Sequence, residues 1–216
     1  TKKCQIPESV KIIAQSAFEN CKNLESIVFS SNLETIQENA FTGCSNLVSL
    51  NFPESLKTVG TDSFNNCTNL KEITFNKTEN VQIQTRAFKG CKLLEKINFS
   101  EKTVEIGGAA FADCISLVNI NLPESIEEIG SSAFSGCASL EEIVLPNKIT
   151  RIAEYTFDGC SSLKKIICPE TIFEIGERAF WNCSNLKEIK IPSSLTNIGE
   201  EAFENCSSLN QLNILD

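Results

Sequence analysis

The sequence predicts a strand-rich solenoid of about nine stacked 23-residue coils, with little or no regular helix. Three observations predict it. Phenylalanine recurs at Phe18, Phe41, Phe64, Phe88, Phe111, Phe134, Phe157, Phe180 and Phe203, at steps of 23 residues with a single step of 24. Cysteine follows each of these by three residues and leucine follows each cysteine by three, from Cys21 and Leu24 to Cys206 and Leu209. Glycine, asparagine and proline also fall into fixed columns. One unit of this length cannot bury its own apolar side, so the units must stack and share a core.

The elements of one unit, Pro123 to Leu145, follow from local chemistry. After Leu140, the residues Ile143 and Leu145 alternate with outward positions, the period of a half-buried strand. A second short extended stretch, marked by Ile126 and Ile129, is expected to form the opposite wall. Two residues after each Phe stands Asn20, Gly43, Asn66, Gly90, Asp113, Gly136, Gly159, Asn182 or Asn205. These types tolerate a left-handed backbone, so the coil is expected to turn there with positive φ. Gly60, Gly107, Gly130, Gly176 and Gly199 share a second column, and all six prolines, such as Pro123 and Pro146, share a third just after the main strand. Lys77 and Ser100 take the place of proline in two coils, and the coil with the extra residue is expected to bulge.

The array is read as one elongated domain over residues 1–216, a segment of a longer array because neither end reads as a polar cap. At roughly 4.8 Å per strand, nine coils predict an axis of about 45 Å.

The combination of Pro, a spaced aliphatic pair, Ala-Phe, Cys, Leu and a strand resembles the BspA-type leucine-rich repeat of surface proteins from anaerobic bacteria and protozoan parasites. That resemblance implies a right-handed, curved leucine-rich-repeat solenoid. It also implies adhesion to host matrix or cell-surface proteins, and a surface or secreted location. An intracellular scaffold, in the cytoplasm, is the alternative that the same fold allows.

Several function classes lose support. A net charge of −9 gives no broad attraction to nucleic acid or anionic membrane. No apolar run reaches the length of a membrane span, and Thr1 to Ile6 do not have the form of a signal peptide. Histidine is absent, which removes Ser-His and Cys-His nucleophiles. No phosphate loop, cofactor or metal site is expected. Carboxylate pairs such as Glu127-Glu128, Glu141-Glu142 and Glu200-Glu201 leave a carboxylate-dependent hydrolase as a remote alternative, with solvated surface charge the better reading.

Eleven cysteines invite two functional readings. A single file of sulfurs cannot supply a zinc tetrahedron. Disulfides between coils remain conceivable, but a ladder of nine cannot pair completely. The reading adopted is that cysteine serves as a small buried apolar residue, reduced and inert.

The outward positions of the main strand are the expected binding face. In the columns of Glu141, Glu142 and Val144 the acidic and basic residues balance, which suits contact with a protein. Val144 and Ile167 share one column, with Lys165, Lys187, Glu188 and Lys190 around them, and these six residues form the candidate site. Phe173 and Trp181, in otherwise polar columns, form the alternative patch. Asn51, Asn98, Asn121 and Asn213 share the Val144 column, where mutual hydrogen bonds are expected.

Overall fold

The computed structural model describes residues 2–215, and beyond Asn210 the backbone alone. It is a parallel β-solenoid, with no helix among the described residues. Each coil contributes one main strand, from Lys3–Gln5 to Gln211–Leu215, and one two-residue strand on a second wall, from Ile12–Ile13 to Asn197–Ile198. Most neighbouring coils pair in parallel and in register, as in Glu142↔Lys165↔Glu188 and Ile143↔Ile166↔Ile189, with the main wall interrupted after Ser26–Val28 and Lys96–Asn98 and the second wall after Glu128–Ile129. Periodic apolar residues therefore stack on their own counterparts, which is what turns a one-dimensional repeat into a continuous core.

A third wall is built without strands. In the Phe turn every second backbone N–H reaches the next coil: Ser132 to the Glu154 oxygen at 2.9 Å, Phe134 to Thr156 at 3.0 Å and Gly136 to Asp158 at 2.7 Å. Two left-handed residues per coil aim these groups along the axis. One is the expected column two residues after Phe, from Asn20 (φ 57°) to Asn205 (φ 61°). The other lies two residues before Phe and holds Ser16, Asn39, Asp62, Arg86, Ala109, Ser132, Tyr155, Arg178 and Glu201, none of them glycine. Bonds between coils offset the local cost of that conformation, about 1–2 kcal/mol for a residue with a Cβ.

The second glycine column answers to a different constraint. A Cβ on Gly130 would lie 2.5 Å from the Gly108 nitrogen, and one on Gly176 would lie 2.7 Å from the Glu154 nitrogen. Close approach of successive backbones, not positive φ, selects glycine there.

The nine ladder phenylalanines stack face to face, with centroids 4.9–5.8 Å apart and rings 2–13° from parallel. A shorter aromatic row, Phe29, Phe52, Phe75 and Phe99, meets them in part edge to face, as at Phe99–Phe111.

All eleven cysteines are free thiols. Nine are buried, Cys4 is half-buried and Cys21, in the first coil, is exposed. From Cys44 to Cys206 each ladder thiol donates to the Phe carbonyl of the preceding coil at 3.1–3.4 Å. Burial pushes the thiols of Cys44, Cys91, Cys137 and Cys168 up to about 12.

The extra residue of the 24-residue coil sits in one corner. Phe52 pairs with Phe75 and Thr58 with Gln82, so Asn76, rather than Lys77, lies across from Pro53 and the insertion falls between 76 and 82. The corner bulges there, with Asn80 at φ 52°, and both sheets keep their register because a corner has no ladder to break.

Candidate binding face

The site grows from the pleat of the main sheet. In the strands Glu142–Val144, Lys165–Ile167 and Glu188–Pro192, residues 143, 166 and 189 point into the core. The alternate positions form two rows on the outer face: Glu142, Lys165 and Glu188, and beside them Val144, Ile167 and Lys190. Val144 is 48% exposed and Ile167 40%, so two aliphatic side chains stand next to each other in water. A shallow depression of about 240 Å³ lies at Lys165, Ile167, Glu188 and Lys190.

Charge on this face is arranged coil to coil. Lys165 pairs with Glu142 at 3.0 Å and Lys164 with Glu141 at 2.9 Å. Among the described residues no carboxylate lies within 4 Å of Lys187 or Lys190. The candidate site thus places Val144, Lys165, Ile167, Glu188 and Lys190 on one surface, with Lys187 at its edge one residue before the strand.

Three exposed apolar residues of the same face escaped the sequence reading: Val28 in the Val144 column, and Val48 and Val118 in the Glu141 column. Their positions were already fixed by the register, and that signal would have found them. The expected asparagine ladder is corrected by the structure. Asn51 accepts from Asn76, two residues beyond its column neighbour Thr74, at 2.7 Å, and Asn98 donates to Glu72 and Thr74 at 3.0 Å although Asn121 follows it in the column. The Asn213 side chain lies outside the described residues.

Phe173 and Trp181 do not share a row. Phe173, exposed, precedes the second-wall strand Glu174–Ile175, whereas Trp181 lies in the Phe turn and is only half-buried. Trp181 belongs to a cluster not foreseen from sequence. The Arg178 guanidinium lies 5.5 Å from the Trp181 ring centre and 5.8 Å from that of Tyr155, bonds to Glu201, and faces the Tyr155 hydroxyl, which donates to Glu177 at 2.6 Å.

The carboxylate pairs of the remote hydrolase reading are engaged elsewhere. Glu127 binds Lys148 at 2.6 Å, Glu141 and Glu142 bind Lys164 and Lys165, and Glu201 binds Arg178. The Glu105 carboxyl is raised above its ordinary value by burial and by Glu128 opposite it in register. Asp62 is held below the usual carboxylate range by bidentate hydrogen bonds from Arg86 at 2.6–3.1 Å, a structural pair that joins two coils.

A family model described as the BspA type leucine rich repeat region matches six copies along the chain, over residues 1–105 and 81–210. The chain belongs to the BspA-type leucine-rich-repeat family. Its solved likenesses include a leucine-rich cell surface protein of Faecalibacterium prausnitzii, 27% identical with a TM-score of 0.55, covering 100% of this chain and 79% of that one. The T. pallidum leucine-rich repeat protein is 26% identical with a TM-score of 0.57, covering 97% of this chain and 78% of that one. A leucine-rich repeat protein from Bacteroides ovatus, at 23% identity and a TM-score of 0.54, covers 98% of this chain and 78% of its own and shares the fold. No curated protein matches significantly. This BspA-type repeat chain has the architecture of a protein-interaction scaffold, a class whose members are generally binding modules rather than enzymes. No helix among the described residues is long and apolar enough to cross a membrane.

Proposed function

We propose that this BspA-type array is a cell-surface or secreted recognition segment that binds a protein, of host matrix or cell-surface type, through the outer face of its main strands. The observation that carries the reading is the adjacency of Val144 and Ile167. Both are exposed and fixed by parallel pairing, and Ile167 lies beside Lys190, which no carboxylate neutralises within the described residues. Such a patch can exclude water at its centre while charges at the rim orient the partner. Rigid strands lower the ordering cost of binding. The likeness to a protein described as a cell surface protein supports the location.

The test has two arms. Fractionation of cells expressing the full-length gene is expected to place it at the surface or in the medium; a cytosolic location favours the intracellular scaffold instead. Immobilised extracellular-matrix proteins are expected to include at least one that binds the purified chain saturably. If none does, adhesion to matrix is the wrong reading.

A further inference from the structure

We infer that the occupant of the Val144–Ile167–Lys190 face is an amphipathic α-helix of the partner, lying along the solenoid axis with aliphatic residues over Val144 and Ile167 and carboxylates at Lys187 and Lys190. This deepens the proposed function and rests on it. Two independent observations support it, one of spacing and one of charge.

Along the axis the rows advance one residue per coil. Paired strands lie about 4.8 Å apart, and the phenylalanine ladder inside the same coils rises by 5.2–5.8 Å from Phe134 to Phe203. A helix brings side chains to one face every turn, about 5.4 Å, with neighbours three or four residues apart. Over the three coils of the patch the two repeats drift by roughly 1 Å or less, within the reach of a side-chain rotamer. An extended segment on the same line presents side chains every 6.6–6.8 Å, from roughly 3.3 Å per residue. It loses about 1–2 Å per coil, about 2–4 Å over the patch. The face therefore favours a helix over a strand.

Charge sets the order of the helix. Toward the N-terminal side of the patch the lysines are already neutralised, Lys164 by Glu141 and Lys165 by Glu142. One coil further on, Lys187 and Lys190 have no carboxylate within 4 Å among the described residues. The complementary helix carries aliphatics at positions i and i+4 and Asp or Glu at i+7 and i+8. Its C-terminal end, the negative end of the macrodipole, lies toward the lysines.

The experiment uses defined probes. An alanine-based helical peptide with Leu at i and i+4 and Glu at i+7 and i+8 is titrated into the isotope-labelled chain and followed by methyl NMR. The Val144 and Ile167 methyls are expected to shift, and K187E/K190E is expected to weaken binding at least tenfold. A peptide with Lys in place of Glu is expected to prefer that K187E/K190E variant. No binding by 1 mM, insensitivity to the charge swap, or equal binding of an extended alternating Val-Glu peptide would overturn the helix. In the last case the face still binds and the proposed function stands. A concentration-dependent dimer, seen by light scattering and lost in V144D/I167D, would assign the face to a second copy and also overturn it.

Discussion

The Cys137 thiol donates to the Phe111 carbonyl oxygen at 3.2 Å, and the same oxygen accepts the Cys114 backbone N–H at 3.3 Å. One carbonyl thus serves its own turn and the next coil at once. The arrangement repeats along the ladder and gives cysteine a use that alanine or valine could not fill: a small apolar body with a weak donor at its tip.

Stability is expected to fall steeply above about pH 9. A thiol held near 12 in the folded chain and near its ordinary value when unfolded favours folding only while both states are protonated. As pH rises past the unfolded value, the unfolded chain loses its proton first. Each such thiol then withdraws up to about 1.4 kcal/mol per pH unit. Thermal melts between pH 7 and 11 check this, and a flat melting temperature over that range would contradict it.

Thiol titration with a coloured disulfide reagent is expected to find one or two reactive groups in the native chain, Cys21 and the half-buried Cys4. After denaturation without reductant the count is expected to approach eleven. A denatured count near one would mean extensive disulfide bridging.

Phe134→Ala is expected to cost about 3–5 kcal/mol, because it opens a cavity between two stacked rings. Glu142→Ala, which loses only an exposed pair with Lys165, should cost less than about 1 kcal/mol. Chemical denaturation of both variants measures the contrast, and equal midpoints would mean that the core register is wrong.

The two glycine columns are expected to separate under substitution. Gly159, at φ 71° with its nearest neighbour 3.7 Å from an added Cβ, should accept asparagine with little loss, since Asn182 and Asn205 occupy the same column. Gly130→Asn must push the Gly108 backbone away and should cost well over 1 kcal/mol. Similar melting temperatures for the two variants would refute the distinction.

The core and both strand walls were legible in the sequence because burial restricts composition: Phe, Cys and Leu hold their three columns in every coil, and mostly Ile, Val, Leu, Phe or Ala fill the other buried ones. The left-handed turn after each Phe was legible for the same kind of reason, being confined to Gly, Asn and Asp. Its twin two residues before Phe was not. There the inter-coil bonds from Tyr155 to Glu177 and from Arg178 to Glu200 override local preference, so any side chain can occupy the column and composition carries no trace. The thiol bonds were equally hidden, since a cysteine that donates and one that merely packs look alike in sequence. Of the candidate site, the rows of Val144, Ile167 and Lys190 could be read from the repeat. The pairing of Lys165 with Glu142, which leaves Lys190 available, needed coordinates.

Binding of an identified matrix ligand to wild-type, V144D/I167D and F173A/W181A chains, by surface plasmon resonance with melting temperatures in parallel, tests the central claim most directly. The main-strand account predicts that V144D/I167D abolishes binding with an unchanged melting temperature, while F173A/W181A still binds. Binding that survives V144D/I167D and disappears in a folded F173A/W181A chain would contradict it and move the site to the second wall or the Phe turn.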